Sequence, residues 1–177
     1  MDRAPDTEPA TFLETERLRL RELHEGDAPF VLELLNEPGW LRYIGDRGIR
    51  TLDAARQYIV DGPVAMYRRH GFGLYAVVGK QHGELLGMCG LIKRDSLEDV
   101  DIGFAFLERH GGRGYGFESA AAVLDHARRV LRLPRVVAIT AVDNHASIRL
   151  LERIGLRFEK MVTLAGDDEE IRLFATP

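Results

Sequence analysis

Cysteine is nearly missing from this chain of 177 residues, which carries only Cys89. A lone thiol cannot form an intrachain disulfide, so the fold does not depend on an oxidising compartment. Within its apolar run, Cys89 reads as core. No uninterrupted apolar run approaches the roughly 20 residues that a membrane-spanning helix requires. The first nine residues are polar and acidic with two prolines, and they lack the basic start and apolar stretch of a signal peptide. These absences imply a cytoplasmic protein with no membrane partner. They also imply a flexible tail over residues 1–12, followed by one domain over residues 13–177, since no linker, repeat or low-complexity tract divides the rest.

A dominant charge is absent as well. The 24 Lys and Arg are balanced by 28 Asp and Glu for a net charge of −4, and the arginines are scattered. A nucleic-acid partner is therefore not expected. His110, His126 and His145 lack a paired ligand spacing, so no metal site is expected either. What remains, at 45% apolar and 29% charged residues, is an ordinary globular composition.

The pattern of apolar residues organises the chain. Arg17 to Leu23 alternates like a half-buried strand, and Asp27 with Pro29 opens a helix that Pro38-Gly39 stops. Thr51 and Asp53 open a second helix, which Pro63 breaks or kinks. Phe72 to Val78, Glu84 to Ile92 and Val100 to Leu107 form three strands of an antiparallel meander. A helical stripe follows from Ala120 to Leu131, then a strand over Arg135 to Val142 and a helix over His145 to Ile154. Two strands around Gly166-Asp167-Asp168 end the chain as a hairpin. The order is mixed α/β with an antiparallel meander at its centre.

The chemistry is concentrated at Gly111-Gly112-Arg113-Gly114-Tyr115-Gly116, between a strand and a helix. Glycines allow a tight turn and a close ligand approach, and free amides at a helix start attract phosphate. A solvated turn with no ligand is the alternative. Neither familiar nucleotide motif fits: no glycine pair completes G-x-G-x-x-G, and Phe117-Glu118 stands where a phosphate-binding loop needs Lys-Ser/Thr.

From Thr15-Glu16-Arg17-Leu18 to the final hairpin, the sequence resembles the GCN5-related N-acetyltransferase superfamily, in its ribosomal-protein-alanine (RimJ/RimL-like) branch. The resemblance rests on Val100 to Leu107, on Gly112 to Glu118, and on Asn144-His145-Ala146-Ser147 followed by Leu150 to Leu156. It implies a mostly antiparallel sheet of six to seven strands flanked by about four helices. It also implies transfer of an acetyl group from acetyl-CoA to a primary amine, at a protein N-terminus or on a small molecule, and a homodimer is common among such proteins. The backbone amides of Gly112, Arg113, Gly114, Tyr115, Gly116 and Phe117 are then expected to face the pyrophosphate. Backbone groups of Phe104, Ala105 and Phe106 are expected to meet the pantetheine arm, with Asn144 close to the arm or the acetyl group.

Each of these residues has a plainer reading. Phe104 and Phe106 also suit a core, Asn144 a helix cap, and Ser147 a solvated helix. Asp101 is the candidate general base, with a solvent-facing strand residue as the alternative, and Ser147 is a second candidate catalytic residue. The resemblance fails at two positions. Gly111 replaces a side chain that supports the phosphate turn, and Leu151 stands where relatives carry a tyrosine acid. Both departures leave open a non-catalytic CoA-binding module. Trp40 and Tyr43 either border the acceptor or belong to the core.

Overall fold

The computed structural model describes residues 9–177. Most of the expected tail lies outside them, but Thr11 and Phe12 do not belong to a tail. They begin a strand, β1 (Thr11–Glu14), which pairs antiparallel with β2 (Leu18–Arg21). Phe12 stacks on Tyr75 with ring centroids 4.0 Å apart. This apolar contact, made far away in sequence, holds a segment that looks solvated in isolation.

A 3-10 turn leads into α1 (Ala28–Leu35), which buries Phe30, Val31, Leu34 and Leu35. Helix α1 ends at Leu35, before Pro38-Gly39 as expected. Pro38 also occupies the first position of a further short helix, α2 (Pro38–Tyr43), where a missing N–H costs nothing. Helix α3 (Leu52–Ile59) runs through a π-helical turn (Val60–Val64) into α4 (Ala65–His70). The wide turn accommodates Pro63, so the rod continues where a break was an open expectation.

The meander is present as β3 (Leu74–Gly79), β4 (Leu85–Ile92) and β5 (Val100–Phe106), antiparallel throughout. Helix α5 (Tyr115–Arg129) follows, then β6 (Val136–Thr140), α6 (His145–Arg153), β7 (Arg157–Val162) and β8 (Ile171–Ala175). The sheet has eight strands among the described residues, in the order β1-β2-β3-β4-β5-β6-β8-β7. That exceeds the expected six to seven because β1 was not anticipated. The terminal hairpin folds back so that β8, rather than β7, lies beside β6.

Alternation along the strands builds a core on each face of the sheet. Leu18, Leu20, Val77 and Ile102 pack beneath the α5 stripe of Ala120, Val123, Leu124 and Ala127. On the other face, Ala76, Met88 and Leu107 pack against Val31, Leu35, Ala55 and Ile59 of α1 and α3. Cys89 is fully buried, and burial pushes its thiol up to about 12, so it is inert core. Among the described residues, no helix is long and apolar enough to cross a membrane.

Candidate active site

Strand β5 pairs with β4 along its whole length, from Gly87↔Phe106 to Ile92↔Asp101. Its other edge pairs in parallel with β6 only at Val100↔Val136 and Asp101↔Val137. Beyond Asp101 the two strands part, and the edge from Ile102 to Phe106 has no strand partner among the described residues. Such an edge offers its amides and carbonyls to an extended ligand. The side chains of Phe104 and Phe106 pack into the core under α5, while Ala105 packs against the opposite core.

The cleft opens towards the glycine turn. Gly112 and Gly114 have φ values of +74° and +80°, which only glycine adopts without strain. Gly114 directly precedes α5 and sets the direction of its first turn. Among the described residues, none of the N–H groups from Gly112 to Phe117 finds a protein acceptor. Six free amides at the positive end of a fifteen-residue helix are an arrangement that attracts an anion. Phe117 is flanked by the Arg153 guanidinium, 4.1 Å from the ring centroid, which ties the start of α5 to α6.

A clamp that sequence reasoning missed holds this turn. Glu118, in the first turn of α5, accepts from Thr15 Oγ1 (2.5 Å), from Arg17 N (3.0 Å) and from Arg17 Nε (2.7 Å). Arg17 Nη1 donates to the Arg113 carbonyl at 2.9 Å, and the guanidinium lies 4.6 Å from the centroid of the Tyr115 ring. Partial burial pulls the Glu118 carboxyl upward, but hydrogen bonds from Thr15 and Arg17 outweigh it and leave it below its ordinary range. The sequence separation of 101 between Arg17 and Glu118 left no local signal of the pairing.

Asp101 sits where β5 and β6 part, and it is 1% exposed. Arg94 Nε approaches its two carboxylate oxygens at 3.2 and 3.4 Å. The long ion pair does not compensate for lost water: burial pushes Asp101 from its ordinary 3.8 to about 6 despite Arg94. The solvent-facing alternative for Asp101 is therefore wrong, because strands on both sides enclose it.

Asn144 starts α6, and its Oδ1 accepts from Ser147 N at 3.3 Å. The cap role is thus filled by the oxygen, and the amide nitrogen is not used by the cap. Ser147 is half-buried one turn into α6. Leu151 is core. Arg42 of α2 reaches Asp143, the neighbour of Asn144, at 3.3 Å. Tyr43 lies under the Arg42 guanidinium (4.9 Å), whereas Trp40 is buried.

Two cavities flank these elements. One of about 640 Å³ is lined by Ser96 to Asp99, Arg135, Lys160 and Thr163 over a floor that includes Val137, the register partner of Asp101. Another of about 410 Å³ lies beside the turn, between Arg17, Lys80, His82, His110, Arg113 and Tyr115. The three histidines singled out in the sequence are not gathered: His110 faces Glu84 at 3.6 Å, His126 meets the edge of Phe12, and His145 begins α6.

Comparison with known proteins places this geometry in a family. The family model for an acetyltransferase (GNAT) domain matches residues 17–157. The uncharacterized protein YkkB of Bacillus subtilis (strain 168) is 31% identical over 155 residues, covering 86% of this chain and 88% of that protein. The crystal structure of an acetyltransferase from Agrobacterium tumefaciens str. C58 superposes with a TM-score of 0.80 at 27% identity, covering 95% and 94% of the two chains. RimL, a ribosomal L7/L12 alpha-N-protein acetyltransferase solved in complex with coenzyme A, shares the fold at a TM-score of 0.79 and 21% identity, covering 94% and 97%.

Proposed function

The chain belongs to the acetyltransferase (GNAT) family, and from that premise we propose that it transfers the acetyl group of acetyl-CoA to a primary amine by direct attack in a ternary complex. The amine is a protein N-terminus or a small molecule. The observation that carries this reading is the parted β5–β6 edge opening onto six unsatisfied amides. Amides of Gly112 to Phe117 hold the pyrophosphate, and the β5 backbone at Phe104 to Phe106 meets the pantetheine arm. Asn144 donates its side-chain amide to the arm from the facing side.

Asp101, next to the floor of the larger cavity, takes the proton of the attacking amine through a water. As the nitrogen bonds to the thioester carbon, the carbon–sulfur bond breaks. Ser147 supplies a proton to the departing thiolate, and solvent restores it. Close positioning on two rigid strands contributes much of the rate.

Calorimetric titration with acetyl-CoA, 3′-dephospho-CoA and ATP, followed by thiol release assays with an amine panel, tests the reading. The expected outcome is one-to-one binding of both CoA forms, none of ATP, and thiol release only when amine is present. Binding without release across the panel favours the non-catalytic module, to which the buried Leu151 points; no binding overturns the proposal.

The Arg17 clamp gives a further prediction. Arg17→Ala leaves the Glu118 carboxylate unneutralised beside the phosphate site and is expected to weaken acetyl-CoA binding about tenfold. The double variant Arg17→Ala with Glu118→Gln regains part of that loss, because the repelling charge is gone. A double variant weaker than Arg17→Ala assigns the clamp to turn geometry rather than to charge.

A further inference from the structure

Trp40 is the only tryptophan of the chain, and its side chain carries a polar atom the fold does not use. The residue is 6% exposed, and Nε1 has no hydrogen-bond partner among the described residues. An indole N–H can only donate, and leaving a buried donor unpaired is costly enough that native structures rarely do so without a ligand or water to accept it. Filling space does not require the nitrogen, since phenylalanine supplies an apolar ring without it.

Its location says what the donor is for. Trp40 shares a buried cluster with Met88 and Leu107, against which Ala105 of β5 packs. That is the half of β5 whose outer edge is open. Two residues on, Arg42 of the same short helix reaches Asp143 in the turn before Asn144. Helix α2 thus reaches the turn that follows β6 through Arg42, while Trp40 packs in the cluster that Ala105 of β5 joins.

We propose that the Trp40 indole N–H is a hydrogen-bond donor to a carbonyl oxygen of the bound acyl-pantetheine arm, either its thioester or one of its amides. This rests on the acetyl-CoA reading above. The residue positions the arm from the α2 side, opposite the contacts that the β5 backbone makes.

The uniqueness of Trp40 makes the test direct. In a ¹H–¹⁵N spectrum of the full chain the indole gives one cross-peak, expected to move downfield and to exchange more slowly with water on saturation with acetyl-CoA. Trp40→Phe keeps the ring and removes the donor; its acetyl-CoA Kd is expected to rise about tenfold with the melting temperature unchanged. If CoA loses less affinity than acetyl-CoA, the acceptor is the thioester; equal losses assign a pantetheine amide. An indole peak that stays in place in the saturated wild-type protein overturns the proposal whether or not the variant folds. So does a Trp40→Phe protein that binds both ligands as the wild type does. A wild-type protein that binds neither ligand instead removes the acetyl-CoA reading on which the proposal stands.

Discussion

Replacing Asp101 by Asn is expected to lower kcat on the order of 10²-fold or more while leaving the protein as stable at pH 7–8 as the wild type, or more so. The two halves of that expectation come from one cause. Burial raises the Asp101 carboxyl to about 6, so the side chain is deprotonated and able to accept a proton at neutral pH but protonated under mild acid. In the wild type, kcat/KM should therefore rise with pH through a limb centred near 6, and Asp101→Asn should abolish that limb. The stability sign runs the opposite way. A carboxyl raised above its unfolded value stabilises the fold fully below the unfolded pKa, and that contribution is lost as pH rises from about 4 through about 6. A shift of this size corresponds to about 3 kcal/mol. Asn carries no charge to desolvate and still offers an oxygen to Arg94 Nε, so the variant avoids the loss. Were Asp101 only half of a structural ion pair with Arg94, the substitution would lower the melting temperature at pH 8 and spare kcat. Steady-state pH profiles together with thermal melts at pH 5 and pH 8 separate the two cases.

Asp101 also shows where a sequence stops being informative. Its place on the third meander strand was legible from alternation and spacing, yet alternation fits a solvated carboxylate as well as a buried one. The difference depends on β6, which arrives 35 residues later and pairs at Val137. The same limit explains the other misses. Residues 11 and 12 look like the end of a tail until β2 and Tyr75 are beside them. Pro38-Gly39 reads as a stop, and α1 does end before it, but local rules do not show that the same proline opens the next helix. The order β6-β8-β7 is invisible to a hairpin signal, which fixes that two strands pair but not which of them faces the sheet.

What was legible was local. The glycine turn, the α5 stripe, the Asn144 cap and the three antiparallel strands each announce themselves within about 15 residues, through φ requirements, helical period or alternation. The clamp among Thr15, Arg17 and Glu118 and the orphaned Trp40 nitrogen do not, because each is a property of side chains that meet only after folding. In this chain the sequence displays the backbone-built parts of the candidate site, and the fold supplies the side-chain contacts around them.

Gly114→Val is expected to raise the acetyl-CoA Kd by roughly 30-fold, about 2 kcal/mol, while kcat at saturating acetyl-CoA changes little. Gly114 adopts φ +80° immediately before α5, and its carbonyl accepts from Glu118 N at 3.0 Å. A β-branched residue is strained in that conformation by about 1–3 kcal/mol. An added Cβ also lies 3.4 Å from Arg17 Nη2, within the clamp that holds the turn. Valine thus forces the chain out of the left-handed region and turns the amides of Tyr115 to Phe117 away from a common focus. Asp101, Ser147 and the parted strand edge are untouched, which is why the loss should fall on binding. Gly111→Ala is the control: at φ −68° its backbone is one that alanine adopts readily, and its Cβ, 3.2 Å from the Glu108 carbonyl oxygen, requires only a small shift, so affinity should fall by no more than about threefold. Titration calorimetry on both variants, with circular dichroism to confirm that α5 is intact, reads the result. A folded Gly114→Val protein that binds acetyl-CoA as tightly as the wild type places the pyrophosphate away from this turn, and the six free amides then need another ligand.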